Sequence, residues 1–143
     1  MFLGEHEHTV DDKGRMAIPA KFRAGLAEGL VVTRGFDQNL LVYPMSIWRE
    51  LAARINALPM SQPATRNLRR LLFSGAADLE LDKQGRILLP ANLREYAGIA
   101  ADAVVTGMDS FIEIWSKDRW QTVIDSFPIE GAAIAEQVAT LGI

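Results

Sequence analysis

Residues 11–23 read DDKGRMAIPAKFR, and residues 82–94 read DKQGRILLPANLR. At an offset of 71 the two stretches share Asp11/Asp82, Gly14/Gly85, Arg15/Arg86, Pro19/Pro90, Ala20/Ala91 and Arg23/Arg94. Met16/Ile87, Ile18/Leu89 and Phe22/Leu93 match in apolar character, and upstream Gly4 aligns with Gly75. Downstream, one extra residue in the second stretch moves the offset to 72. Asp37–Tyr43 then matches Asp109–Trp115, and Trp48 meets Trp120. Likeness at both ends of each copy marks a duplicated unit.

Each copy has the same grammar. A short strand (Glu7–Val10, Ala77–Leu81) leads to a tight turn at Gly14 or Gly85, where positive φ suits glycine. A second strand follows (Arg15–Ile18, Arg86–Leu89), then Pro19 or Pro90 in the first turn of a short helix. A β-branched run (Leu30–Thr33, Ala103–Thr106) and an apolar strand (Asn39–Tyr43, Phe111–Trp115) come next. A helix closes each copy. Ile47, Leu51, Ile55 and Leu58 recur at helical spacing in the first, and Trp120, Val123, Ile124 and Phe127 behind an N-capping Ser116 in the second. Between the copies, the turn-rich segment Pro59–Pro63 feeds a helix at Ala64–Phe73. Ile134, Val138 and Leu141 suggest a terminal helix. The chain therefore divides into a first unit at 4–58, a linker and helix at 59–74, a second unit at 75–127 and a C-terminal helix or tail at 128–143. One such unit is small to be stable alone, whereas two can pool their strands around one core. The expected class is α+β, a small antiparallel barrel-like core with peripheral helices.

Composition narrows function. The 143 residues carry a net charge of −3 and no cysteine, which removes disulfides, thiolate metal sites and cysteine nucleophiles. No apolar run is long enough to span a bilayer, and Met1–His8 lacks the basic start and apolar stretch of a signal peptide. A cytoplasmic protein is expected. The charge is unevenly spread. Segments 11–23 and 82–94 are each +2, so the rest of the chain sums to −7. Two basic turns on an acidic body are the footprint of a polyanion-binding edge.

Two readings of Asp-x-x-x-Arg stand side by side. Asp11 and Arg15, like Asp82 and Arg86, flank a hairpin turn, so each pair closes it or the aspartate caps turn amides. Alternatively the arginine, directly after the turn glycine, leaves the hairpin end and reaches into a DNA groove. The roles are compatible.

Two copies of D-x-x-x-R, each followed by a hydrophobic strand and Pro-Ala, resemble the MraZ family, from Gly4 to about Phe127. Its members resemble two AbrB/SpoVT-type swapped-hairpin units in tandem. The resemblance implies a nucleoid-associated regulator of the division and cell-wall gene cluster that acts as a repressor. It further implies binding of double-stranded DNA at short direct repeats in the promoter ahead of its own gene, and assembly as a homo-oligomeric ring. The family's DNA-contacting arginine falls on Arg15, with Arg86 its internal counterpart; Asp11 and Asp82 are motif members. Lys13, Gly14, Lys83 and Gly85 complete the candidate interface. Asp12 stands where the second copy has Lys83, so the two hairpins differ in charge. Several weak loops at fixed spacing on repeated sites raise the effective concentration of each successive contact.

Other signals carry less. His6 and His8 share a strand face, but a structural zinc site needs four ligands and no further histidine or cysteine exists. Trp48 and Trp120 sit at matched helix positions with apolar neighbours and suit packing better than base stacking. Arg66, Arg69 and Arg70 suit a solvated helix face better than a second phosphate-contacting patch. A phosphate loop, a nucleophile motif and a metal cluster are all missing, so neither catalysis nor a cofactor nor a small-molecule substrate is expected. An AbrB-like antitoxin usually has one unit and a disordered tail, where this chain has two units.

Overall fold

Side-chain alternation explains why the central strands read as unbroken apolar runs. The computed structural model describes residues 1–143. In the first copy, β1 (Glu5–Thr9), β2 (Arg15–Ala17) and α1 (Ala20–Arg23) precede β3 (Leu30–Arg34), β4 (Leu40–Pro44) and α2 (Met45–Asn56). Helix α3 (Pro63–Ser74) joins them to the second copy, made of β5 (Ala77–Leu79), β6 (Arg86–Leu88), α4 (Ala91–Ala97), β7 (Asp102–Gly107), β8 (Ile112–Ser116) and α5 (Lys117–Val138). Leu40 and Val42 of β4 enter one core with Leu30, Val32, Val105 and Ile114, while Leu41 and Tyr43 enter another on the opposite face. A strand buried on both faces has no polar alternation to show.

Six strands form one antiparallel sheet in the order β1-β7-β8-β4-β3-β5, and β2 pairs with β6 in a separate ribbon. Exchanging the two copies reverses the sheet order onto itself, so the molecule has an approximate two-fold axis between β4 and β8. The copies are interleaved: β1 of the first lies on β7 of the second, and β5 of the second lies on β3 of the first. The α+β, two-unit architecture is as expected, but no closed barrel forms. Edge strands β1 and β5 do not pair with each other. The open sheet is covered instead. The ribbon, α1 and α4 cover one face through Met16, Ile18, Phe22, Ile87, Leu89 and Leu93, all within 1 % exposure.

Helices α2 and α3 cover β3 and β4 on the other face, and α5 covers β7 and β8. The segment expected as linker and helix is thus an integral layer. Thr33 Oγ1 donates to the Leu72 carbonyl (2.5 Å), and Arg34 Nε donates to that of Leu71 (2.9 Å). Pro19 and Pro90 sit one residue earlier than expected. With ψ of 134° and 144° they are the N-caps, and the helices begin at Ala20 and Ala91. Ser116 caps α5 by accepting the Arg119 N–H (3.3 Å). The helix closing the second copy and the separate terminal helix are one, since α5 runs through Pro128 to Val138.

Candidate nucleic-acid interface

The candidate interface comprises two turns whose backbone is held by one carboxylate each. Asp11 Oδ1 accepts the N–H groups of Lys13 (3.0 Å) and Arg15 (2.8 Å), and its Oδ2 accepts Arg15 Nε (2.7 Å). The second turn repeats this atom for atom: Asp82 Oδ1 accepts from Gln84 and Arg86, and Oδ2 from Arg86 Nε, all at 2.9 Å. The Arg15 amide, followed by its guanidinium, holds the Asp11 carboxyl below the usual carboxylate range against an opposing desolvation effect. The Arg86 amide and guanidinium do the same for Asp82. The turn-bracing reading of Asp-x-x-x-Arg therefore describes the geometry. It leaves the second reading intact, because only Nε is used: the terminal guanidinium nitrogens of Arg15 and Arg86 hydrogen-bond to nothing in the chain.

The ribbon decides where those nitrogens go. In the β2–β6 register Arg15 faces Leu88, Met16 faces Ile87, and Ala17 faces Arg86. Side chains alternate across a strand. Met16 and Ile87 point into the core at 0 % and 1 % exposure, so Arg15, Ala17, Arg86 and Leu88 occupy the outward face. Leu88 is correspondingly exposed. Arg15 and Arg86 sit diagonally on that face, at the two ends related by the approximate axis. Lys13 and Lys83 are exposed on the turns and join no ion pair.

Each turn is also locked to the other copy. The Gly14 carbonyl accepts the Leu89 N–H and the Gly85 carbonyl accepts that of Ile18, both at 2.9 Å. Gly14 has φ of +91°, and a Cβ there would lie 2.8 Å from the Leu89 carbonyl and 2.9 Å from Arg94 Nε. At Gly85, with φ of +75°, a Cβ would run into the Arg23 guanidinium. Arg94 thus lies over the first turn and Arg23 over the second. Their Nε groups donate to the carbonyls of Leu89 (3.1 Å) and Ile18 (2.9 Å), and their terminal nitrogens too are unspent. Arg23 and Arg94 were not among the sequence-derived site residues, although their identity in both copies was an available signal. Each turn therefore combines an arginine of its own copy with one from the other.

The comparisons with known proteins agree with this duplication. A family model described as "MraZ protein, putative antitoxin-like" matches the chain twice, over residues 1–71 and 72–140. The chain belongs to the MraZ family. It is 76% identical over 143 residues to the transcriptional regulator MraZ of Herpetosiphon aurantiacus, covering 100% of both chains. It is 52% identical over 141 residues to that of Roseiflexus castenholzii, covering 99% of both, and 49% identical over 143 residues to that of Desulfitobacterium hafniense strain DSM 10664 / DCB-2, covering 100% of both. These names are of transcriptional regulators and not of enzymes. No helix is long and apolar enough to cross a membrane.

Proposed function

We propose that this chain is a sequence-specific transcriptional regulator that lays the β2–β6 ribbon into the major groove of double-stranded DNA. In this reading Arg15 and Arg86 read base edges. Arg23, Arg94, Lys13 and Lys83 hold flanking phosphates, while Asp11, Asp82, Gly14 and Gly85 shape the turns. The observation that carries it is the tethered fork: on the outward face of the ribbon, Nε is bound to an aspartate and the paired terminal nitrogens have no partner in the chain, twice, about one axis. The major groove admits a two-stranded ribbon, and a guanidinium bidentate to guanine contributes about 1–3 kcal/mol of discrimination. Fixing the fork beforehand removes part of the ordering cost of that contact. The second turn, with Lys83 in place of Asp12, carries the stronger field toward phosphate.

One ribbon supplies too few contacts for the roughly 10⁻⁸ M or tighter binding of a specific regulator. The reading therefore includes a homo-oligomeric ring that sets ribbons on short direct repeats. Its site is the promoter ahead of its own gene, in the division and cell-wall gene cluster, where occupancy represses. A nucleoid location follows from that role. The test compares Arg15→Ala, Arg86→Ala and the double variant with the unaltered protein. Affinity for a repeat-containing upstream DNA, oligomer mass and melting temperature are measured on the same samples. Each single variant should lose at least tenfold in affinity, and the double variant all discrimination from random DNA, with mass and melting temperature preserved. Unchanged operator affinity in the double variant removes the DNA-reading role.

A further inference from the structure

The distal half of α5 stands away from the body of the molecule. No α5 residue is buried, and from Phe127 onward every position but half-buried Val138 is exposed. A Cβ at Gly131 would meet no atom within 4 Å. Phe127, Ile134, Val138 and Leu141 nevertheless recur at i, i+7, i+11 and i+14, which is one apolar stripe of a helix. With Pro128 and Gly131 inside it, this stretch is a weak helix by itself, and isolated helices of about a dozen residues are marginal in water. Its stripe calls for a surface to bury against.

Such a surface exists between α2 and α3. An open groove of about 330 Å³ has buried Tyr43 and Leu72 at its base and Leu51, Leu58 and Leu68 along its sides. Phe36, 68 % exposed, stands at its edge, and Arg54 is its single polar lining residue. Charge matches shape. After Arg119 the chain has no lysine or arginine, and residues 121–143 carry Asp125, Glu130 and Glu136. Residues 45–74 carry five arginines against Glu50 alone. None of those arginines is in an ion pair, since the three ion pairs of the chain lie in the two turns and at Lys117–Glu7. An acidic helix with one apolar stripe and an apolar groove lined by Arg54, on a helix pair of net positive charge, are the two halves of helix-in-groove recognition. Within one chain they are kept apart, because α5 is anchored on β7 and β8 while the groove overlies β3 and β4.

We propose that the C-terminal segment Phe127–Leu141 of one copy docks in the α2–α3 groove of the next, head to tail. Such a contact uses two different surfaces and leaves one of each free on every added copy. It therefore closes into a ring when the rotation permits. The inference deepens the ring presentation proposed above, and it is read without DNA, so that its failure and a failure of DNA reading are separable.

The experiment uses a helix-defective variant, Ile134→Glu with Leu141→Glu, and a groove-defective variant, Phe36→Glu with Leu58→Glu, all at exposed positions. Deletion of residues 127–143 provides a second helix-defective form. Circular dichroism checks the fold, and sedimentation velocity reads the mass. The unaltered chain should sediment as a large homo-oligomer and each variant as a folded monomer. An equimolar mixture of the two variants should give a two-chain complex and nothing larger, because only one intact helix–groove contact exists per pair. Arg54→Glu should weaken assembly at least tenfold. A monomeric unaltered chain, variants that keep the full mass, or a mixture that stays monomeric overturns the proposal. So does an Arg54→Glu protein that loses DNA affinity at unchanged mass, which would make the groove rim a DNA patch.

Discussion

At the scale of the residue, the central object is an arginine with one nitrogen spent and two available. Lysine at position 15 would keep the charge but lose both the tether and the fork, so Arg15→Lys is no conservative change here. Asp11→Asn separates tethering from charge. The amide oxygen still accepts the Lys13 and Arg15 N–H groups, while the charge that holds Arg15 Nε is removed. We expect the fold to persist, binding to random DNA to hold or rise, and the preference for operator over random DNA to fall by roughly tenfold. Competition binding measures it, and an undiminished preference means that the tether is irrelevant to reading. Acid provides a second probe. The Asp11 and Asp82 carboxyls are held below their ordinary value of 3.8. Their contribution to stability is therefore fully present above that value and is lost as pH falls through the lower folded value. NMR titration should show both carboxylates protonating below the ordinary aspartate value, with the Arg15 and Arg86 Nε resonances changing in step.

At the scale of the element, the two turns look equivalent and are not. A methyl group at Gly14 would meet the Leu89 backbone, whereas one at Gly85 would meet the movable end of Arg23. Both positions also have left-handed φ, which costs a non-glycine residue about 1–2 kcal/mol. Gly14→Ala should therefore destabilise more, by about 2–3 kcal/mol, since the ribbon end must also move. Gly85→Ala should stay near 1–2 kcal/mol but weaken DNA binding by displacing Arg23. Denaturant melts and binding curves on the two variants check the order. Equal stability losses with no binding difference would show that the interleaving of Arg23 and Arg94 has no functional weight.

At the scale of the whole molecule, duplication has produced two units that cannot be separated. Each contributes its first strand to the other's sheet edge and half of the ribbon. A fragment of residues 1–71 would expose the buried faces of β3 and β4 and leave β1 and β2 unpaired. Expressed alone, it should be unfolded or should pair with itself about the vacant axis. Mixed with residues 72–143, it should regain the native circular dichroism spectrum. A folded monomeric fragment would show that the interleaving is dispensable. The same scale governs salt dependence. Each neutralised phosphate contributes about −0.9 to the slope of log affinity against log salt, so an assembled ring should show a slope beyond the reach of one ribbon.

The sequence by itself determined what is local or repeated. The apolar runs of β3, β4, β7 and β8, the Gly14 and Gly85 turns, the Ser116 cap and the Asp-x-x-x-Arg pairs are set by neighbours within a few residues. The repeat announced that whatever one copy does is done twice. Tertiary structure alone decided the pairings, because a strand's hydrogen-bonding edge carries no address: β1 could be satisfied by any apolar strand, and pooling one core selected β7. For the same reason Arg23 looked like a member of its own turn, while the interleaved fold sets it over Gly85. Helix α3 was legible as a helix, but its place as a layer on the Tyr43 face of β4 depends on contacts distant in the chain. The open sheet, too, was decided at this level, since closure depends on whether β1 and β5 meet, and in the fold they remain separate edges.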